Sequence, residues 1–292
     1  TFSLALLTSP TAIPAEAKRP RPHRNPVPDY ISATDLTDPV RAALDAKAKG
    51  RRVIVVFDID NTLLTMPQDL GSDAWFTWRA RRDDFPTVLA DSRLLLATSA
   101  MAPTQPDAPA LVARLQAAHI PVYALSARGS ELRGATEAAL LSQGIDLSPA
   151  PECGPPLCTR RGNLGDARIR TAMKLAGLKP AAEPYRPVTV SDGLMLVSGQ
   201  DKGLMLNLLL RSLKTPYTDV WFVDDTFHNI EDVRAAAPRI TARVHPYSYE
   251  RYWPAAEAFQ ADPARQSKAD TDLAAIKSAL CATVHATACP VP

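Results

Sequence analysis

Residues 53–64 read VIVVFDIDNTLL: five apolar residues, then Asp58, Ile59 and Asp60. A β-branched run of that length has the composition of a fully buried strand in a parallel sheet. Burying a charge is costly unless it is paired or bound to metal. Asp58 and Asp60 are therefore expected just past the strand's carboxyl end, where open α/β sheets bind ligands. With a side-chain period of two, both carboxylates point the same way and converge. Convergent carboxylates repel each other, and a divalent cation relieves the repulsion. The plainer alternative is a strand followed by an Asp-Asn turn, which treats the two carboxylates alike.

The same pattern recurs along the chain. Pro121-Val122-Tyr123-Ala124-Leu125 is a second buried-strand run, ending in Ser126-Ala127-Arg128-Gly129. Val220-Trp221-Phe222-Val223 is a third, ending in Asp224-Asp225-Thr226-Phe227-His228-Asn229. Helical patterns lie between them. Asp38-Pro39 opens one that Gly50 stops, another spans about 108–119, and a third runs over 130–142 ahead of Gly144. Residues 188–197, VTVSDGLMLV, read as a hairpin turning at Asp192-Gly193, and 198–203, SGQDKG, opens the apolar helix LMLNLLLRSL. Alternating strands and helices give the α/β class: a Rossmann-like parallel sheet flanked by helices, with right-handed crossovers. Small cap insertions are expected at about 65–107 and 148–200. In the first, the aromatic cluster Trp75, Phe76 and Trp78 is set either to pack or to form a lid over the site.

The 292 residues suit one core domain over 35–260 with those insertions, preceded by an irregular Pro-rich segment, 18–34, and followed by a tail, 261–292. Apolar content of 46%, charged content of 22% and a net charge of +2 are ordinary for a soluble globular protein, and steer it toward neither nucleic acid nor a membrane. The basic run Lys18-Arg19-Pro20-Arg21-Pro22-His23-Arg24 is broken by proline and reads as a solvated leader. Residues 1–17, TFSLALLTSPTAIPAEA, have the form of the later part of a secretory signal peptide, with Ala15-Glu16-Ala17 as a small-x-small cleavage site. They are too short and too broken to span a bilayer. Cys153 and Cys158 lie in a Pro-rich loop, and Cys281 and Cys289 flank the tail. Even pairing in loops suits disulfides in an oxidising compartment, so a periplasmic or secreted protein is expected.

Three strand ends and one helix start thus each carry a polar group: Asp58/Asp60, Ser126, Asp224/Asp225 and, on the helix, Lys202. Their order resembles the haloacid-dehalogenase-like superfamily, most of whose members are phosphatases. DIDNT matches its D-x-D-x-T motif, ALSAR its strand-ending Ser or Thr, Lys202 its basic third motif and VDDTFHN its acidic fourth. The resemblance covers roughly 50–240. Within it, DIDNTLLTMPQDLGSDAWF and SDGLMLVSGQDKG are similar to an uncharacterised bacterial subgroup known only as a domain of unknown function.

What the resemblance implies is a Mg²⁺-dependent phosphomonoester hydrolase acting on a small-molecule phosphate ester. Asp58 would be the nucleophile that forms an aspartyl-phosphate. Asp60 would be general acid and then base, with its backbone carbonyl in the metal shell. Ser126 would donate to a phosphoryl oxygen, and Lys202 would neutralise charge on Asp58 and the phosphoryl group. Asp225 aligns best with the metal-binding Asp, with Asp224 beside it. Thr62, Arg128 and Asn229 are the residues expected on the substrate side; a surface salt bridge is the other reading of Arg128. The fourth motif often carries a further Asp where this chain has Asn229, which can hydrogen-bond but adds no charge. Dehalogenases of the superfamily lack the second Asp, so Asp60 points to phosphate esters with alkoxide leaving groups. The alternatives are another phosphoryl transferase, such as a phosphomutase, and an exported binding protein that kept the fold without turnover.

Overall fold

The apolar run 53–57 is buried at every residue, and alternate side chains feed opposite cores. Val53, Val55 and Phe57 enter one hydrophobic cluster. Ile54 and Val56 enter the other. A strand covered on both faces needs an unbroken apolar sequence, which is what this one has. The computed structural model describes residues 26–284, apart from 152, 155–156 and 159–162.

The first half of the chain forms β1 (Ile31–Ala33), α1 (Thr37–Ala48), β2 (Val53–Phe57), β3 (Leu64–Thr65), α2 (Asp73–Ala80), α3 (Phe85–Thr98), β4 (Ala102–Pro103), α4 (Ala108–Ala117), β5 (Val122–Ser126) and α5 (Arg133–Ser142). The second half forms α6 (Asp166–Leu175), β6 (Thr189–Ser191), β7 (Leu194–Leu196), α7 (Lys202–Ser212), β8 (Asp219–Asp224), α8 (Phe227–Ala236), β9 (Arg243–Tyr249), α9 (Trp253–Gln260) and α10 (Pro263–Val284). Seven strands make the main sheet in the order β1-β9-β8-β2-β5-β7-β6. All its neighbours pair parallel except β6 and β7, the expected hairpin, which pair antiparallel. Asp192 and Gly193 both take positive φ at its turn (48° and 77°), the geometry a two-residue hairpin favours. The fold is α/β, a mostly parallel sheet flanked by helices.

Register puts the three strand ends level. Phe57 pairs with Ala124 on β5 and with Val223 on β8. Asp58 N–H continues the ladder by donating to the Val223 carbonyl at 2.8 Å. The polar groups that follow each strand therefore emerge side by side at one edge of the sheet.

Several elements differ from the expectations. Ile31–Ala33, within the segment read as irregular, is an edge strand parallel to β9. β9 itself carries Pro246, which cannot donate to a ladder and so disguises a strand. Within the segment read as a tail, α10 is helical over 22 residues and fastens the first insertion. Arg265 pairs with Asp69 (2.5 Å), Arg79 with Asp270 (3.0 Å) and Lys277 with Asp91 (2.7 Å). A disulfide joins Cys153 to Cys158, with Cα atoms 5.4 Å apart. Cys289, and with it the second cysteine pair, lies outside the described residues, as do 1–17. No helix among the described residues is long and apolar enough to cross a membrane.

Candidate active site

Asp58 leaves β2 and Asp224 and Asp225 lie at the end of β8, all three buried, and each offers an oxygen within 4.8 Å of the others. Lys202 reaches them from the first turn of α7. Its Nζ donates to Asp58 Oδ1 at 2.5 Å and to Asp224 Oδ2 at 2.7 Å, and its side chain is 1% exposed. Two local features set this reach. Asp201 caps α7 by accepting from Leu204 N–H at 2.8 Å. Gly203 lets α7 lie against α8, where a β-carbon would overlap the Asp232 carbonyl.

The second oxygen of Asp224 accepts from Thr226 N–H and from Asn229 Nδ2, each at 2.9 Å. Asp225 accepts from Thr226 Oγ1 and from Asn61 Nδ2, each at 3.2 Å. Asn229 thus orients Asp224, and Asn61, held at φ 56°, orients Asp225. One ammonium faces three carboxylates. Burial pushes Asp58 well above the usual carboxylate range, against the pull of Lys202. Burial likewise raises Asp225, with the charges of Asp73 and Asp58 adding to it. Burial works against the Lys202 ammonium, but Asp224 and Asp58 outweigh it and hold its pKa above the ordinary lysine value. The cluster is thus short of positive charge, and its donors are all hard oxygens. It fits a divalent cation of the Mg²⁺ kind.

Asp60 belongs to a neighbouring network. Its carboxylate accepts from Arg128 Nε at 2.9 Å and Nη2 at 2.8 Å. The Arg128 side chain is 2% exposed, so this pair lies in the interior and not on the surface. The buried Ser126 hydroxyl accepts from Arg128 N–H at 3.2 Å. Thr62 is wholly buried, and its hydroxyl has no hydrogen-bond partner among the described residues.

Sequence reasoning missed Asn61 and Asp73. Asn61 Nδ2 also donates to Asp73 Oδ2 at 2.8 Å, so a carboxylate from the start of α2 enters the site. Asp73 keeps a solvent-exposed face. Crowding by protein atoms and the charge of Asp60 nonetheless push its carboxyl up to about 7. The signal was Ser72-Asp73: Ser72 caps α2 by accepting from Trp75 N–H at 3.2 Å, so the next residue opens a helix beside DIDNT. A cleft of about 660 Å³ leads away between α2 and α9, lined among others by Asn61, Asp73, Arg81, Asp225, Phe227 and Trp253. Trp253 is fixed there by its indole N–H, which donates to the Asp225 carbonyl at 2.9 Å.

Sheet and site together define an α/β protein that presents a buried, lysine-paired carboxylate cluster, competent to hold a metal, at the carboxyl edge of its parallel strands. Residues 33–266 match the family described as "Protein of unknown function (DUF2608)", and the chain belongs to that family. No curated protein matches the sequence. Among solved structures, the class C acid phosphatase from Bacillus anthracis is similar at 15% identity and a TM-score of 0.38, over 80% of this chain and 86% of that one. The same phosphatase with tungstate bound is similar at 14% identity, with the same coverage and TM-score. Similarity this low carries no residue or role across.

Proposed function

We propose that the protein is a Mg²⁺-dependent phosphomonoester hydrolase of the haloacid-dehalogenase-like kind, acting through an aspartyl-phosphate at Asp58. The observation that carries this reading is the Lys202 ammonium bridging Asp58 and Asp224 beside Asp225. An ammonium and a carboxylate cluster at the end of parallel strands meet the main need of phosphoryl transfer, which is charge stabilisation around a positioned nucleophile.

Asp58 and Asp225 would hold Mg²⁺, with Asp224 beside them; when bound, the ion supplies positive charge to the transferring oxygens. In the first step an Asp58 oxygen forms a bond to phosphorus as the ester P–O bond breaks, and the leaving alkoxide takes a proton from Asp60. In the second, a water attacks phosphorus, gives its proton to Asp60 and displaces Asp58, releasing inorganic phosphate. Lys202 offsets charge on Asp58 and the phosphoryl group, and Ser126 donates to a phosphoryl oxygen. The cleft between α2 and α9 receives the organic part of a small-molecule ester, its volume lying in the range of ordinary ligand sites. The Cys153–Cys158 disulfide supports a periplasmic or secreted location.

The test is a panel of phosphate esters with Mg²⁺, run on the wild type and on Asp58→Asn. The reading requires hydrolysis that Asp58→Asn abolishes. Wild-type rates in the variant would overturn it.

A further inference from the structure

Arg128 was expected either to touch substrate phosphate or to sit in a surface ion pair, and its 2% exposure rules out the second. Nε and Nη2 form a two-pronged pair with the Asp60 carboxylate, at 2.9 and 2.8 Å. Nη2 also lies 2.9 Å from the Met101 sulfur, and Nη1 donates to Thr136 Oγ1 at 3.0 Å. Four of the five guanidinium N–H donors are thereby engaged. Both partners of the guanidinium other than Asp60, Met101 and Thr136, are buried. The backbone on either side is held as well: Arg128 N–H donates to Ser126 Oγ at 3.2 Å, and the Arg128 carbonyl accepts from Ser198 N–H at 2.9 Å.

We propose that Arg128 is a positioning residue that aims Asp60, locking the loop after β2 to the loop after β5, to α5 and to the first insertion. The inference rests on the phosphoryl-transfer reading, in which Asp60 moves the proton. Asp60 is the one partly exposed residue of an otherwise buried turn, its side chain 22% exposed against 2% for Arg128, and without a fixed partner it would be free to rotate there. A planar guanidinium fixes both oxygens of a carboxylate at once, which a lysine ammonium cannot do. In this account Arg128 touches neither the substrate nor Asp58; its effect passes wholly through Asp60.

A double-mutant cycle separates this from the other roles. Arg128→Gln should lower kcat for an aryl phosphate about 10²-fold, the scale of a misaimed catalytic group, and leave KM within about 2-fold. Arg128→Lys should not restore kcat. In an Asp60→Asn background, Arg128→Gln should change the residual rate by less than about 2-fold, because nothing remains to aim. A raised KM, or an equal loss in the Asp60→Asn background, would overturn the proposal and assign Arg128 to the substrate or to the fold at large. Should Arg128→Gln fail to fold, Thr136→Val removes one anchor of the guanidinium while keeping its volume. It should lower kcat several-fold at constant KM, and this loss too should vanish with Asp60→Asn; a loss that persists there counts against the proposal. Asp58→Asn distinguishes the two levels. Activity in Asp58→Asn defeats the phosphoryl-transfer reading itself, whereas silence there with an additive Arg128/Asp60 cycle defeats only the role of Arg128.

Discussion

The Lys202 ammonium lies 2.5 Å from Asp58 Oδ1, and both side chains are nearly excluded from water, at 1% and 6% exposure. Breaking a buried pair by removing one partner leaves the other charge uncompensated, typically at about 3–5 kcal/mol. Lys202→Met is expected to lose phosphatase activity to background and to lose about that much unfolding free energy, with a lower denaturant midpoint. Denaturant unfolding at pH 7 checks the second part. An unchanged midpoint would show that the pair does not exist in solution.

Removing metal should abolish turnover. With excess chelator, hydrolysis of an aryl phosphate should fall to background, and added Mg²⁺ should restore it. Asp224, the last residue of β8, and Asp225, which follows it, should differ in kind. Asp224 already accepts from Lys202, Thr226 and Asn229, so Asp224→Ala is expected mainly to destabilise the fold. Asp225→Ala should instead raise the Mg²⁺ concentration needed for half-maximal rate. Full activity in chelator contradicts the metal assignment.

Asp73 gives a pH-dependent prediction. Its carboxyl is raised to about 7 in the folded chain, from the 3.8 of an ordinary aspartate. The native state therefore holds a proton that the unfolded chain has released, and stability falls as pH climbs between those values and then levels off. Asp73→Asn removes the cost, so it should stabilise the metal-free protein more at pH 8 than at pH 5. Because water screens its exposed face, the difference is expected to be on the order of 1 kcal/mol. Thermal melts in chelator at the two pH values measure it, and an equal effect at both would refute the shift.

The Cys153–Cys158 bridge should appear as two hydrogens missing from the mass of the peptide that contains both residues. Closing so short a loop should stabilise the protein by less than the roughly 3 kcal/mol associated with a 15-residue loop. Two alkylatable thiols at these positions in protein from an exported fraction would contradict the bridge.

The three central strands were legible because each is an unbroken apolar run, a pattern that two-sided burial demands. The hairpin was legible because Asp192-Gly193 suits positive φ. β9 was hidden by Pro246, and β1 by its three-residue length amid prolines. α10 was hidden for a different reason: of its residues only Ala269 and Leu273 join the main core, and it is held to the insertion by ion pairs such as Arg265–Asp69 that no local pattern records. At the site, Asp58, Lys202, Asp224 and Asp225 could be read because they follow strand ends or open a helix. The role of Arg128 could not be read, since it depends on Thr136 and Met101, brought together only by packing. Asp73 escaped because its link to the site runs through Asn61, whose left-handed backbone turns the amide toward it.

The central claim is that Asp58 and Asp60 do different chemistry although they stand two residues apart. Losing general-base help typically costs about 10²–10⁴-fold, while attack on a good leaving group needs little protonation. Asp60→Asn should therefore still be phosphorylated by an aryl phosphate and then hydrolyse slowly. Intact-mass analysis after mixing with an aryl phosphate and Mg²⁺ tests this directly. The account predicts one added, hydroxylamine-sensitive phosphoryl group, mapping to Asp58, in Asp60→Asn and none in Asp58→Asn. Equal, mild losses of activity in both variants, with no phosphoryl adduct in either, would contradict it.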